Sequence, residues 1–386
     1  MGASGSSTAS TLNIALQNQT TSNTVYAYIT GQAINNSNAL VLLKADGKSL
    51  YYPTSPATDG SPLAVNCGIQ LGPPGSKTVV TIPQIAGGRI WFCVGGPLTF
   101  LLNPGPGLVE PSVSNPSDPN YNLSWDFSEF TFNSAQMFIN ISYVDFVCLP
   151  IALTLASTTG TSQHVSGMSA NGLATVCSNL IAQNAKDGAG WNQLVIQSNG
   201  QNLRALSPNN GIVMNSSLFK GYYQSYVSQV WQKYGSQSLT IDTQAQWGTL
   251  VATVVNNVLT FPNVGTFAQP AAGDIFSCST GPFAASSTNT AEMGDITARL
   301  AAAFNRSTLL SDAVQPDDEN VALYYDTSPT NHYARIVHAA NLDGRGYAFP
   351  YDDVGPSGGA DQSGSVSDGS PSLLTVAVGG MDASLT

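Results

Sequence analysis

Short β-type runs of apolar, β-branched and aromatic residues, separated by turn residues, fill the first 155 positions of the chain. They cover residues 12–16, 25–30, 40–43, 78–82, 90–94 and 98–102, each bounded by Gly, Pro, Asn or Ser. A period of two with β-branched and aromatic residues predicts half-buried strands, and this many at short spacing predicts a sandwich or barrel. A Pro/Gly-rich stretch at 103–120 reads as a long loop, after which 124–133 and 138–155 resume strand character. The period then changes. Leu173, Val176, Cys177, Leu180 and Ile181 recur at helical spacing up to Asp187-Gly188, and Tyr223, Tyr226, Val227, Val230, Trp231 and Tyr234 do the same over 218–234. A strand pair turning at Asn256-Asn257 is expected within 251–261, and a third amphipathic helix at 291–304. Towards the end, 346–351 reads as an aromatic-rich strand, 355–370 as a mobile Gly/Ser/Asp loop, and 373–378 as a final strand.

The pattern defines a β-rich α+β chain. A sandwich or barrel domain (1–155) is followed by an inserted mixed α/β domain (156–328), and a C-terminal segment (329–386) returns to the β domain. A wide groove between the two is the default ligand site.

Composition narrows the partners. Charged residues make up only 9% of 386 positions, with 12 Lys plus Arg against 23 Asp plus Glu, a net charge of −11. No basic stripe exists to neutralise phosphates, so nucleic acid and anionic membrane are poor partners, and no apolar stretch is long enough to span a bilayer. The surface must be built from hydroxyls and amides. Five widely spaced cysteines and three histidines offer no metal spacing, so neither a metal nor a cofactor is expected. Disulfides Cys67–Cys93 and Cys177–Cys278 are expected, with Cys148 left as a buried thiol. Six N-x-[ST] sequons begin at Asn18, Asn35, Asn122, Asn140, Asn215 and Asn305. They fit a protein secreted by a eukaryotic cell and lacking its leader here, although a chain rich in Asn, Ser and Thr also generates sequons by chance.

Only four glutamates occur: Glu110 in the Pro/Gly loop, Glu292 in a helical first turn, Glu319 in an acidic loop, and Glu129. Glu129 is out of place, because it interrupts the β-type run Trp125-Asp-Phe-Ser-Glu-Phe-Thr-Phe-Asn133. Alternation puts Glu129, Thr131 and Asn133 on one face, a row that suits a sugar. Asp145 likewise interrupts the hydrophobic run 139–149. A hairpin centred near Met137 would make 129 and 145 cross-strand partners, with carboxyl groups about 5 Å apart. Close carboxylates divide into acid and base roles in glycosidases; the bland alternative is an Asp that braces a bulge and a Glu at a solvated edge.

The block Ile141-Ser-Tyr-Val-Asp-Phe-Val-Cys-Leu-Pro-Ile151 resembles the signature of glycoside hydrolase family 64, the laminaripentaose-producing β-1,3-glucanases. Cys177 to Pro208, Asn331-His-Tyr-Ala-Arg-Ile-Val-His338 and Tyr347-Ala-Phe-Pro-Tyr-Asp-Asp353 resemble further blocks of the family in the same order. The resemblance implies a thaumatin-like β-sandwich or barrel beside an α/β domain, and a secreted, fungal origin is the expectation it raises together with the sequons. It implies endo-hydrolysis of β-1,3-glucan to short laminari-oligosaccharides with inversion, by a monomer that needs no cofactor. Glu129 matches the general acid and Asp145 the general base, while Thr131, Asn133, Phe138 and Ser142 match substrate-binding positions. Phe138 replaces a Trp, and Ser142 a Thr, of bacterial members. Inversion requires roughly 6.5 to 9.5 Å between the carboxyl groups, more than the simple hairpin allows. A non-catalytic glucan-binding wall protein of the same fold is the competing reading.

Overall fold

The computed structural model describes residues 8–287 and 289–380. Two sheets form the β part. One has five strands in the order Ser162–Val165, Ile151–Ser157, Pro371–Val378, Thr11–Asn18 and Lys77–Pro83. All its pairings are antiparallel except that of the first and last long strands, Thr11–Asn18 and Pro371–Val378, which run parallel with Ile14 opposite Leu374. The larger sheet runs Ser365–Asp368, Met137–Ile141, Ser124–Phe132, Ile85–Val94, Val25–Ala33, Ala39–Leu43 and Leu50–Tyr51, with Ile69–Gln70 also paired to Val25–Ala33.

Alternation decides which face is inside. In Ser124–Phe132 the side chains of Asp126, Ser128, Phe130 and Phe132 are all buried, whereas Glu129 and Thr131 on the other face are only partly covered. Leu12, Ile14 and Leu16 of the five-stranded sheet belong to the same apolar cluster as Phe130, Phe132, Ile139 and Ile141. Burying a large apolar side chain contributes about 1.5–3 kcal/mol, so this shared core fixes the face on which Glu129 emerges.

The helical spacings are met by Gly172–Asp187, Gln224–Tyr234 and Ala291–Arg306. The first ends where Gly188 adopts φ 66°, a left-handed cap open to glycine at little cost. The third starts at Thr290, whose side chain accepts from the Met293 N–H. Asn256 and Asn257 turn the expected hairpin with φ of 49° and 64°, joining Thr249–Val255 to Val258–Phe261. These strands belong to a second five-stranded sheet, with Gly265–Phe267, Leu239–Asp242 and Val314–Gln315.

Several expectations fail. Residues 346–351 make no strand; Tyr347 forms only an isolated bridge with Ser142. Part of the expected mobile loop, Ser365–Asp368, is an edge strand on Met137–Ile141. The block at 331–338 is a helix, His332–Ala340, capped by Asn331 accepting from Ala334 N–H. All five cysteines are free thiols buried in the core, so both expected disulfides are absent. Cys93 and Cys177 lie close enough to Cys148 to feel its charge, and burial pushes the Cys93 and Cys177 thiols up to about 12 and Cys148 to about 11. These are packing cysteines rather than crosslinks.

Candidate active site

The turn that sets the register comes earlier than the sequence pattern predicts. Asn133 Oδ1 accepts from the N–H groups of Ala135 and Gln136, closing the turn at 133–136. Phe132 therefore faces Met137, Thr131 faces Phe138, and Glu129 faces Asn140 on one side and Arg89 on the other. Asp145 is not a cross-strand partner of Glu129, and Asn133 belongs to the turn rather than to the row containing Glu129 and Thr131.

The hydrophobic run 139–149 is not one strand. Met137–Ile141 ends, and Phe146–Val147 pairs instead with Gln201–Leu206 in a different sheet. Long-range hydrogen bonds draw the chain away. The fully buried Asp126 accepts from the N–H groups of Cys148 and Leu149 at 2.8 and 2.9 Å and of Phe127 at 2.8 Å. Ser207 N–H donates to the Asp145 carbonyl at 2.9 Å, and Asn210 Nδ2 donates to both the carbonyl and Oδ1 of Asp145 at 3.1 Å. Ser207 caps the helix Pro208–Met214, which carries Asn210. Asp145 thus sits on a connection between two sheets, oriented by a residue from the helical half.

Glu129 and Asp145 open onto neighbouring hollows. The first, about 390 Å³, is lined by Gly87, Gly88, Arg89, Glu110, Glu129, Phe130, Thr131 and Phe138. The second, about 160 Å³, includes Arg89, Trp91, Trp125, Phe127, Asp145 and Asn210. Arg89 belongs to both. Its guanidinium lies 4.7 Å over the Phe127 ring, donates from Nε and Nη2 to Glu129 Oε1 at 3.2 Å, and donates from Nη1 to Glu110 Oε2. A bulge in its strand opens the first hollow: the register with Ser124–Phe132 shifts between Phe130 and Phe132, Gly87 has φ +54°, and a Cβ on Gly88 would stand 2.4 Å from the Phe130 ring.

Burial raises the Glu110 carboxyl above its ordinary value; Arg89 opposes this, and the negative Glu129 and Asp145 reinforce it. Burial also pushes Asp126 up to about 7 despite its three backbone donors and Arg204. Ser142 is 5% exposed and lines neither hollow. Asn140, directly opposite Glu129, is 7% exposed with no partner for Oδ1, and Asn305 is wholly buried with its amide committed to Ile275 and Ala301 carbonyls. Neither sequon has room for a glycan. Among the described residues no cluster of His, Cys, Asp or Glu has the arrangement to hold a metal ion.

Arg89 and Glu110 were not foreseen. Glu110 has an ordinary sequence context, but Arg89 interrupts an apolar strand as Glu129 does, so the same test applied to cations would have found it.

An open sheet face with two carboxylates in adjoining hollows, aromatic rings beneath and hydroxyls beside them is the kind of site that glycoside hydrolases use. The family model described as β-1,3-glucanase of glycoside hydrolase family 64 matches residues 10–378. The chain belongs to that family. It is 30% identical over 287 residues to glucan endo-1,3-beta-glucosidases of Cellulosimicrobium cellulans and of Arthrobacter sp. (strain YCWD3), covering 72% of this chain. It spans about half the length of these curated relatives, 50% in each case. A solved laminaripentaose-producing beta-1,3-glucanase in complex with laminaritetraose superposes with a TM-score of 0.84 at 30% identity, covering 96% of this chain and 98% of the other. A beta-1,3-glucanase domain from Clostridium beijerinckii shares the fold, with a TM-score of 0.73 at 21% identity and 96% and 98% coverage. The named relatives are bacterial, and a fungal source draws no support from them.

Proposed function

We propose that the protein is a secreted, monomeric, endo-acting β-1,3-glucanase of thaumatin-like architecture that inverts the anomeric centre, with Glu129 as general acid and Asp145 as general base. The observation that carries this reading is the placement of the two carboxylates on one open face but in separate hollows. Phe146, the neighbour of Asp145, packs on Trp125 at 4.8 Å and Phe127 at 6.0 Å between ring centroids. The residue next to Asp145 therefore packs against the strand that carries Glu129. Inversion requires roughly 6.5 to 9.5 Å between the two carboxyl groups, enough to admit a water between acid and base.

The chemistry then runs in one displacement. Glu129 gives its proton to the glycosidic oxygen as the C1–O bond breaks and its electron pair passes to that oxygen. A water attacks C1 from the opposite face, and Asp145 takes the proton that the water loses. Asn210 holds the Asp145 carboxylate by one oxygen and leaves the other without a protein partner among the described residues. Thr131 supplies a hydroxyl and Phe138 a ring face to the neighbouring sugar, and the missing side chains at Gly87 and Gly88 leave room for it. Recognition by neutral hydrogen bonds and rings matches an uncharged polymer. Asn133 acts on the substrate through the turn that its side chain closes.

The deciding experiment is reducing-sugar release from laminarin by the wild type and by Glu129→Gln and Asp145→Asn, with proton NMR of the fresh hydrolysate. Release of an α-anomer first, abolished in both variants, is the expected result. An initial β-anomer removes Asp145 as base; glucan binding without release identifies a binding protein instead.

A further inference from the structure

The site holds three carboxyl groups and a single cation. Arg89, from Ile85–Val94, divides its guanidinium between Glu129 of the adjacent strand and Glu110 of the segment that follows Gly107–Val109. Asp145 is the other charged group lining these hollows. The remaining neighbours, Asn140, Thr131, Phe127 and Trp91, are neutral. Side-chain exposures of 29% for Arg89, 34% for Glu110 and 39% for Glu129 leave the trio half covered, so its charges are only partly screened.

Arg89 alone beside Glu129 creates a difficulty for catalysis. An arginine within hydrogen-bond reach holds a carboxyl group in its ionised form, and an ionised Glu129 has no proton to give. We propose that Glu110 is the positioning residue that removes this difficulty: by taking the Nη1 arm of Arg89 it makes the guanidinium serve two carboxyl groups, so that one proton stays in the pair. Full ionisation of both would set two negative charges, with Asp145 a third, against one positive charge. The pair therefore titrates as a unit, and its last proton leaves later than that of a single Glu paired with Arg89. Burial, the largest cause, raises the Glu110 carboxyl, and the negative Glu129 and Asp145 add to it against Arg89. When Glu129 transfers its proton to the leaving oxygen, Arg89 already faces the carboxylate that results, donating from Nε and Nη2 to Oε1.

This inference rests on the acid role proposed for Glu129. Its test is the pH dependence of laminarin hydrolysis by the full chain in wild type, Glu110→Gln, Arg89→Gln and the double variant, with far-UV circular dichroism to verify folding. Glu110→Gln is expected to shift the alkaline limb of kcat to lower pH by about one unit, Arg89→Gln to shift it to higher pH, and the double variant to return it towards wild type. Unshifted alkaline limbs in both single variants, or a double variant shifted as far as Glu110→Gln, overturn the inference. If Glu110→Gln does not fold, Arg89→Gln and the double variant decide it: a double variant that returns towards wild type upholds it, and one identical to Arg89→Gln overturns it. Glu129→Gln, assayed alongside, separates the two questions. Full activity in that variant removes the acid role itself, whereas loss of activity there with unmoved pH limbs elsewhere rejects only the part given to Glu110.

Discussion

Two arginines in this molecule are each shared by two carboxylates, and their surroundings could hardly differ more. Arg306, wholly buried, faces Asp352 through Nη2 at 3.1 Å and Glu319 through Nη1 at 3.9 Å. Every carboxylate oxygen there has a donor: Thr308 and Tyr324 supply Glu319 at 2.7 and 2.6 Å, and His338 and the Ala348 N–H supply the second oxygen of Asp352 at 2.8 and 2.9 Å. Around Arg89, by contrast, Glu129 Oε2 has no protein partner among the described residues, and the residue lines an open hollow. A sealed cluster whose carboxylate oxygens all have donors ties segments together, while a half-covered one with unused acceptors is open to solvent and substrate.

The sharpest way to break the comparison is to remove each part in turn. Glu129→Gln should cut hydrolysis of laminarin by at least about 10²-fold while leaving the urea midpoint nearly unchanged, since a neutral isostere removes only the transferable proton. Arg306→Met should do the reverse in kind, costing about 3–5 kcal/mol of stability in urea titration because Asp352 and Glu319 lose their buried cation. Arg89→Met, removing an exposed pair, should cost less than about 1 kcal/mol. Equal losses in the two methionine variants would show that the clusters do not differ in this way.

A pH titration of stability sharpens it further. Both ring nitrogens of His338 face acceptors, the Gly344 carbonyl at 3.0 Å and Asp352 at 2.8 Å, an arrangement that favours the doubly protonated ring. Burial opposes the charge, yet Asp352 and Gly344 outweigh it and raise the group above 6.5. A raised histidine stabilises fully below its unfolded value and loses that contribution as pH rises through the folded one. Asp126, raised from 3.8 to about 7, acts in the same direction: its contribution is present below about 4 and is lost as pH rises through 7. The buried His332, pushed down to about 4, works the other way below pH 6.5, so urea midpoints should fall on rising above about pH 6.5, and His338→Gln should flatten that fall. The smallest effect is expected from a reductant. With five free thiols the thermal midpoint should not move, whereas a native disulfide would show as a loss of about 2–5 kcal/mol.

Much of this was legible in the sequence because one-sided burial writes a period of two into each strand. Thr11–Asn18, Val25–Ala33, Lys77–Pro83 and Ser124–Phe132 lie where β-type runs stand in the sequence, and Glu129 stood out because it breaks such a run. Register was not legible. The turn at 133–136 carries no glycine, and its driving bonds come from the Asn133 side chain. Nor could the sequence show that the chain leaves its sheet before Asp145, since the partners responsible, Asp126 and Ser207, act across the fold. The Cys pairings failed for a related reason: buried cysteine and crosslinked cysteine look alike in a list of spacings. Arg89 lay in plain view in an apolar strand and needed only the question already asked of Glu129.

The parallel pairing of Thr11–Asn18 with Pro371–Val378 has a consequence for how the molecule comes into being. Both strands are central in their sheet, flanked by Lys77–Pro83 on one side and Ile151–Ser157 on the other. Everything up to Val378 must leave the ribosome before this seam can close, and contacts so distant in sequence form slowly. Until then the nascent chain carries two unpaired strand edges, each a template for wrong partners. Assembly of the sandwich thus waits for Pro371–Val378, and a chaperone or a translocation machine that keeps the early strands apart would have its work set by that strand.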